Sequence, residues 1–229
     1  MKKYNIILRK YLALMTSLFF ITTLYAANDL PERSFDGLVL KKGSKADTVY
    51  ALPDVDLSIY NKVIILEPQI AFVKNWKRDQ NRSRSMSNRV KDKDIERMIS
   101  RGKDLFEHIF TDVLEEGGYP VVHEAGENVL LVKPAIIDLN VTAPDIQTAG
   151  RSRTYVASAG SATLYIELYD SVSGQRLVRA FDKRKSRDRN ISWSIPSSSV
   201  TNKSAATRGL TYWAGLLKEA LDNAKNSKR

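Results

Sequence analysis

The feature that most constrains the fold is a strict alternation of residue character between Ala135 and Arg184. It recurs in three blocks, listed here face against face: Ala135, Ile137, Leu139 and Val141 against Ile136, Asp138 and Asn140; Ala162, Leu164, Ile166 and Leu168 against Thr163, Tyr165, Glu167 and Tyr169; and Leu177, Arg179 and Phe181 against Val178, Ala180 and Asp182. A period of two is typical of strands with one face on a core. The sequence therefore predicts three successive antiparallel strands.

Shorter apolar segments predict additional strands at 48–51, 63–66, 70–72 and 119–123. Pro68 separates the segments 63–66 and 70–72. Because proline cannot donate a hydrogen bond to a neighbouring strand, this position favours a sheet edge or a bulge.

Two segments carry the period of an amphipathic helix. The first is capped by Asp92 or Asp94, ends at Gly117-Gly118, and has an apolar stripe of Ile95, Met98, Ile99, Leu105, Phe106, Ile109, Phe110, Val113 and Leu114. The second is capped by Thr201 or Asn202, and its stripe is Leu210, Trp213, Ala214, Leu217, Leu221 and Ala224. We therefore predict an α+β fold, a two-layer sandwich of a mostly antiparallel sheet with two amphipathic helices.

The N-terminal residues 1–27 have the composition of a secretory signal peptide. An uncharged, largely apolar run from Tyr11 to Ala26 follows four basic residues, Lys2, Lys3, Arg9 and Lys10. This run is shorter than the ~20 residues of a membrane span, which favours cleavage over the alternative of a retained N-terminal anchor. We expect an N-terminal arm at 28–46 and a single α+β domain at 47–226. The protein is then exported, and is periplasmic or associated with the outer membrane.

The chain has no cysteine. Disulfides, thiolate metal sites, a cysteine nucleophile and a lipid-bearing cysteine in this chain are thereby excluded. The formal charge is +10, or +6 without the four basic residues of the predicted signal peptide. Such a charge favours anionic partners, which include phosphate-bearing lipid, lipopolysaccharide, nucleic acid and acidic proteins.

Candidate catalytic groups are few. His108 follows Asp104 by four residues on a predicted helix, which is more typical of an exposed pair than of a catalytic dyad, and His123 stands next to Glu124 without further metal ligands. The motifs of serine nucleophiles and phosphate-binding loops do not occur. We therefore expect no enzymatic activity, no cofactor and no metal.

Basic residues are concentrated in the segment 74–93, which we interpret as a loop, and at the end of the third predicted strand. Ordinary solvated loops, a site for an anionic envelope component or acidic protein, and a nucleic-acid site are the alternatives, and export argues against the last. The candidate interaction surface consists of Trp76, Arg78, Arg82, Arg84, Arg89, Arg151, Arg153, Tyr155, Lys183, Arg184 and Lys185.

Several short motifs resemble one family along nearly all of the chain after the predicted signal peptide. They are Leu30-Pro31, Gly37-Leu38, Tyr50, Pro53, Tyr60, Asn75-Trp76 within 72–79, Ala143-Pro144-Asp145, the run 149–155, Ala159-Gly160, Asp170-Ser171 and the run 199–202. On these residues the chain resembles domain-of-unknown-function family 3313, a group of uncharacterised exported bacterial proteins that includes many predicted lipoproteins. The resemblance implies no enzyme activity, cofactor or catalytic residues, and the missing cysteine departs from the family's common lipid anchor.

These observations favour a non-enzymatic cell-envelope protein that is a subunit or accessory of an outer-membrane or secretion-system assembly. Its partners would be envelope proteins, with contact to anionic lipid or lipopolysaccharide and none to nucleic acid. The alternative is a periplasmic ligand-binding or hydrolytic protein that acts on an anionic envelope component. In that case a cleft would be lined by Asp138, Asn140, Arg151, Arg153 and Tyr155.

Overall fold

The computed structural model of the chain describes residues 30–141, 154–156, 160–185, 195–197 and 199–227, and side chains at all of these except 154–156, 195–197 and 199–202. The predicted signal peptide and the basic residues Arg151 and Arg153 lie outside the described residues. The chain divides into two compact units, 1–31 and 32–229, and the fold described below is that of the second unit.

Seven strands of the described residues form one mixed, mostly antiparallel sheet. They are β1 (Val39–Leu40), β2 (Thr48–Ala51), β3 (Lys62–Ile65), β4 (Gln69–Phe72), β5 (Val129–Val141), β7 (Gly160–Asp170) and β8 (Arg176–Lys185). Their order is β1-β2-β8-β7-β5-β3, and β4 also pairs with β5. A second sheet of two strands joins β6 (Thr154–Val156) to β9 (Ile195–Ser197).

The three predicted antiparallel strands are confirmed as β5, β7 and β8, which are neighbours in the sheet. The interrupted strand around Pro68 is β3 and β4, and both pair in parallel with β5 at the edge of the sheet. The residues at 119–123 were expected to form a short strand, but within them only Val121 makes an isolated bridge, to Val63.

Three α-helices complete the described part of the fold: α1 (Trp76–Asn81), α2 (Asp92–Glu116) and α3 (Ser199–Asn226). The long helices α2 and α3 pack against one face of the sheet, which confirms the α+β fold. The C-terminal part of the α2 stripe and most of the α3 stripe are buried there, whereas Ile95, Met98, Ile99 and Leu105 are half-buried. The buried residues are Phe106, Ile109, Phe110 and Leu114 on α2, and Leu210, Trp213, Ala214, Leu217 and Leu221 on α3. The cap of α2 is Lys91, whose backbone N–H donates to Asp94 Oδ2 at 2.9 Å.

The expected faces of β5 were wrong because the strand contains a bulge. Asp138 has a φ of 52°, and the pairing with β7 shifts between Ile137 and Asn140. Before the bulge, Ile136 points to the core, whereas after it Leu139 does. One extra residue in a strand exchanges its two faces, so the strict alternation could not continue through this point.

The prediction of a loop across 74–93 was wrong at α1. Trp76, which was included in the candidate interaction surface, is only 3% exposed. Its ring packs on Phe72 with centroids 4.3 Å apart, and its indole N–H donates to the carbonyl of Val141 at 3.1 Å. Trp76 therefore fixes α1 to the end of β5 instead of presenting a surface.

The face of the sheet opposite the helices carries an ionic network that holds the N-terminal arm. Asp36 accepts hydrogen bonds from Arg176 and Arg179, and both arginines form salt bridges with Glu167, which is 4% exposed. Next to Asp36, the arm buries Leu38 to 1% exposure. Residues of the arm thus cover this face of the sheet.

Candidate binding groove between the two long helices

A groove with a cavity of about 890 Å³ opens between the N-terminal halves of α2 and α3. At their C-terminal ends the same helices are in contact: Gly117, just after α2, lies against Lys218, and the Tyr119 hydroxyl donates to Asp222 Oδ1 at 2.8 Å. The floor of the groove is the end of the sheet where β5, β7, β8 and β4 meet. The volume is within the ~300–1,000 Å³ typical of ligand sites.

The walls and floor of the groove are mostly apolar or small. The apolar members are Ile70, Met98, Leu105, Ile136, Leu139, Val141, Leu210 and Trp213, and the small ones are Gly102, Gly160, Ala162, Ala205, Ala206 and Gly209. A Cβ added at Gly209 would meet no atom within 4 Å, so the space above this part of α3 is open. Small side chains on α3 therefore leave room that larger ones would fill.

At Gly160 the backbones of β7 and β5 approach each other closely in the floor of the groove. The φ of Gly160 is 149°, and a Cβ at this position would lie 2.1 Å from the carbonyl oxygen of Asn140 on β5. Only glycine fits between the two strands here.

The rim of the groove is strongly cationic. Arg101 lies on the α2 side, whereas Arg184, Lys185, Lys203 and Arg208 come from the end of β8 and from α3. Among the described lining residues Asp104 is the only carboxylate, and it belongs to α2 together with His108. We call the four cations of β8 and α3 the cationic wall.

Arg184 is held in place within the cationic wall. Its guanidinium donates to both carboxylate oxygens of Asp182, at 2.5 and 2.8 Å, and to the Tyr212 hydroxyl at 2.7 Å. The guanidinium carbon also lies 4.2 Å from the centroid of the Tyr212 ring. The hydrogen bond to Asp182 raises the pKa of Arg184 above its usual value, so the side chain stays charged.

A smaller cleft of about 330 Å³ lies on the other flank of α3. Its apolar lining includes Val49, Ile166 and Val178, and Trp213 borders both this cleft and the groove. At its mouth Lys45 pairs with Glu219 at 2.5 Å. The smaller cleft thus borders the C-terminal half of α3, whereas the groove borders its N-terminal half.

The structure brings two of the predicted surface residues, Arg184 and Lys185, into the groove. Lys183, which precedes them on β8, is exposed, and its backbone N–H donates to Asp47 Oδ2 at 2.8 Å. Arg151 and Arg153 lie outside the described residues, and for Tyr155 only the backbone, in β6, is described.

The predicted surface residues of 78–89 do not line the groove. Arg78 and Arg82 are exposed and pair with Asp79, at 3.1 and 3.7 Å. Arg84 is partly buried and donates to the carbonyl of Gln80 at 3.0 Å, whereas Arg89 is exposed. These residues remain a candidate surface of their own beside α1.

Sequence patterns missed the groove because its residues come from several separate elements. Arg101, Lys203 and Arg208 were not singled out, and the apolar stripes of α2 and α3 were assigned wholly to the core. The available indication was the small residues Gly102, Ala205, Ala206 and Gly209, since small side chains on two facing helices leave space between them.

The histidines show no catalytic arrangement among the described residues. His108 Nε2 lies 3.4 Å from Asp112 Oδ2, so its partner is one turn later on α2 and not Asp104, and the histidine side chain is 73% exposed. In the described part of the chain no cluster of three or more His, Asp or Glu side chains could hold a metal. Within the same part, no helix is long and apolar enough to cross a membrane.

Sequence comparison shows the family. The model of the family described as "Protein of unknown function (DUF3313)" matches residues 30–217, so the chain belongs to this family. No curated protein matches the sequence.

Several solved structures are similar to the chain at low identity. A PelC variant from Paraburkholderia phytofirmans, solved as a dodecamer, has 13% identity and a TM-score of 0.37, covering 74% of this chain and 98% of its own. A DUF330 protein from Xanthomonas campestris has 15% identity and a TM-score of 0.38, with 76% and 93% covered. A candidate lipoprotein from Caulobacter crescentus has 14% identity and a TM-score of 0.33, with 56% and 86% covered. At these scores the likenesses carry no functional argument.

Proposed function

We propose that this is a non-enzymatic cell-envelope protein that binds an anionic amphiphile in the groove between α2 and α3. The observation that carries the proposal is a cavity of about 890 Å³ with an apolar lining and a cationic rim. An acyl chain would lie against the apolar floor, and a negatively charged head group would face the rim. Export, inferred from residues 1–27, would bring the protein to the compartment where such molecules occur.

The energetics suit such a ligand. Each CH₂ group removed from water contributes ~0.8 kcal/mol, so an acyl chain of moderate length gains most of its affinity from the floor. Rim cations add charge-assisted hydrogen bonds to the head group, and these are stronger than neutral ones. Glycine and alanine residues on α3 allow the acyl chain of the ligand to approach the helix backbone closely.

The state of the most buried carboxylates supports the non-enzymatic part of the proposal. Burial alone would raise the pKa of Glu167, but hydrogen bonds from Tyr165 and Tyr169 together with nearby cations outweigh it and lower that pKa. A general acid requires the opposite shift, toward neutral pH. Asp182 is engaged with Arg184 and Trp213.

Two glycines on α3 allow a test of whether the groove binds the amphiphile. Gly209 lines the groove, whereas Gly215 does not, and an added Cβ meets no atom within 4 Å at either position. Leucine raises helix propensity over glycine by up to ~1 kcal/mol, so both variants should fold. We expect Gly209→Leu to weaken binding of 11-(dansylamino)undecanoate at least tenfold, and Gly215→Leu to bind like the unchanged protein. Equal affinity of all three proteins would contradict the proposal.

A second candidate function is that of a subunit or accessory of an outer-membrane or secretion-system assembly. It is favoured by the surface beside α1, where Met86 is 81% exposed between Arg82 and Arg89. Cations concentrated on one surface attract an anionic partner. Reversing Arg82 and Arg89 to glutamate should release the protein from cross-linked envelope complexes, whereas reversing the exposed Lys41 and Lys62 should not. Unchanged recovery of the Arg82/Arg89 variant would contradict this role.

A further inference from the structure

The two sides of the groove differ in charge, and the difference identifies the head group. On α2 the cation Arg101 is accompanied by the carboxylate Asp104. On the opposite side, the cationic wall contributes no carboxylate to the described lining. A negatively charged head group is therefore attracted to the β8 and α3 side.

The charge on the cationic wall exceeds what one carboxylate would neutralise. Asp182, behind Arg184, forms a bidentate pair with it and so balances that one cation. Lys185, Lys203 and Arg208 remain, and all three are exposed. A group with two negative charges and several acceptor oxygens would satisfy these donors better than a group with one.

Arg184 and Tyr212 give this side a fixed geometry. The tyrosine hydroxyl and the aromatic ring both contact the guanidinium, and Arg208 precedes Tyr212 by one helical turn, so it shares that face of α3. Arginine presents several N–H donors in a plane that matches phosphate oxygens, and a phosphate monoester carries a charge of about −1.5 to −2 at pH 7.

We propose that the groove selects a lipid with a phosphate monoester head group, which is bound by the cationic wall while the acyl chain occupies the apolar floor. The proposal rests on the proposed function, because it assumes that the groove holds the acyl chain. It adds the class of head group and the side of the groove that binds it.

The experiment compares three amphiphiles with the same oleoyl chain and different head groups: lysophosphatidic acid, oleate and monoolein. Each is added below its critical micelle concentration and competes with the dansyl probe on the purified full chain. We expect lysophosphatidic acid to bind at least tenfold more tightly than oleate, and oleate more tightly than monoolein. The preference should decrease with added salt, because exposed charges are screened.

The variant Lys203→Gln/Arg208→Gln tests the assignment of the head group to the cationic wall. This variant should weaken the binding of lysophosphatidic acid at least tenfold and leave the affinity for monoolein unchanged. A control that removes the same charge elsewhere, Lys62→Gln/Lys93→Gln, should leave all three affinities within twofold of the unchanged protein.

The outcomes separate the two proposals. One outcome would overturn the phosphate assignment alone: oleate and monoolein bind, Gly209→Leu weakens their binding, and lysophosphatidic acid binds no better than oleate. The proposal that the groove binds an amphiphile would then still be supported. An equal loss for the phosphate lipid in both charge variants would overturn the assignment to the cationic wall. If none of the three amphiphiles binds, both proposals fail.

Discussion

The indole N–H of Trp213 donates a 2.8 Å hydrogen bond to Oδ2 of Asp182, a carboxylate that is 2% exposed. Asp182 also accepts from Arg184 and, at 3.1 Å, from the backbone N–H of Asp47. This one side chain therefore joins the start of β2, the end of β8 and the middle of α3. Through Arg184 it also reaches the groove.

Replacement of Asp182 by asparagine should destabilise the protein by about 2–3 kcal/mol. The shape is kept, but the charge that balances Arg184 is lost, and hydrogen bonds to charged groups contribute ~1.5–3 kcal/mol. The partial exposure of Arg184 places the cost below the ~3–5 kcal/mol of a fully buried broken pair. Urea unfolding measures it, with Asp112→Asn, an exposed carboxylate, as the control. A difference below ~0.5 kcal/mol between the two variants would show that Asp182 is not a structural centre.

Acid should release the arm before the whole fold unfolds. Chiefly through the Ser34 hydroxyl, which donates at 2.5 Å, and with Arg176 and Arg179, the pKa of Asp36 is lowered from 3.8 to about 2. Because folding lowers this pKa, the carboxylate stabilises the docked arm above about pH 4, and the contribution disappears as pH falls from about 4 to 2.

The arm can be followed across that range by amide hydrogen exchange at Leu40 and Lys41, whose N–H groups donate to the carbonyls of Glu32 and Val49, both at 2.8 Å. In Asp36→Asn the protection should already be reduced at pH 6 and should change less between pH 4 and 2 than in the unchanged protein. Identical pH profiles for the two proteins would show that another carboxylate controls the arm.

Alanine at Gly160 should be poorly tolerated. The added Cβ would overlap the carbonyl oxygen of Asn140, and the φ of 149° is one that alanine rarely adopts. Overpacking and backbone strain each cost ~1–3 kcal/mol. Gly174, with φ 68° and open space around it, is the control because alanine there would have the backbone strain but no steric overlap. Thermal unfolding should therefore show a clearly larger loss for Gly160→Ala than for Gly174→Ala, and the reverse order would contradict the close approach of β5 and β7.

Phenylalanine at position 119 should cost about 1 kcal/mol and leave ligand binding intact. The Tyr119 hydroxyl donates to Asp222 where α2 and α3 are in contact, and a single hydrogen bond contributes ~0.5–1.5 kcal/mol. Asp222 keeps its 2.7 Å contact with Lys218. Chemical unfolding and dansyl-probe binding on the same sample check both parts. A large loss of binding would mean that this contact also sets the width of the groove.

The parts of the fold that could be predicted from the sequence are those that follow from local periodicity. The alternation of β7 corresponds to its buried residues Leu164, Ile166 and Leu168, and the C-terminal part of the α2 stripe and most of the α3 stripe are buried as well. The bulge at Asp138 was missed because one left-handed residue leaves no trace in a hydrophobic pattern. Trp76 was assigned to a surface because its burial depends on Val141, far away in sequence.

The groove could not be predicted because it is defined by a separation between helices. Residues such as Arg101 and Arg208 have the polar character of any exposed helical position, and nothing local shows that they face each other. Arg184 and Lys185 were identified by charge, but their role as part of one wall depends on the placement of α3. The predicted domain boundaries and the predicted signal peptide remain predictions.

The strand order also constrains how the chain can fold as it is made. All four residues of β2 pair with β8, which is synthesised after most of the chain. The apolar stripe of α3, which completes the core, is synthesised later still. Contacts between distant segments form slowly because a long loop must close first. A nascent chain that has β2 but lacks β8 keeps an open sheet edge, so folding must await the last quarter of the sequence, and truncation before α3 should leave an aggregation-prone protein.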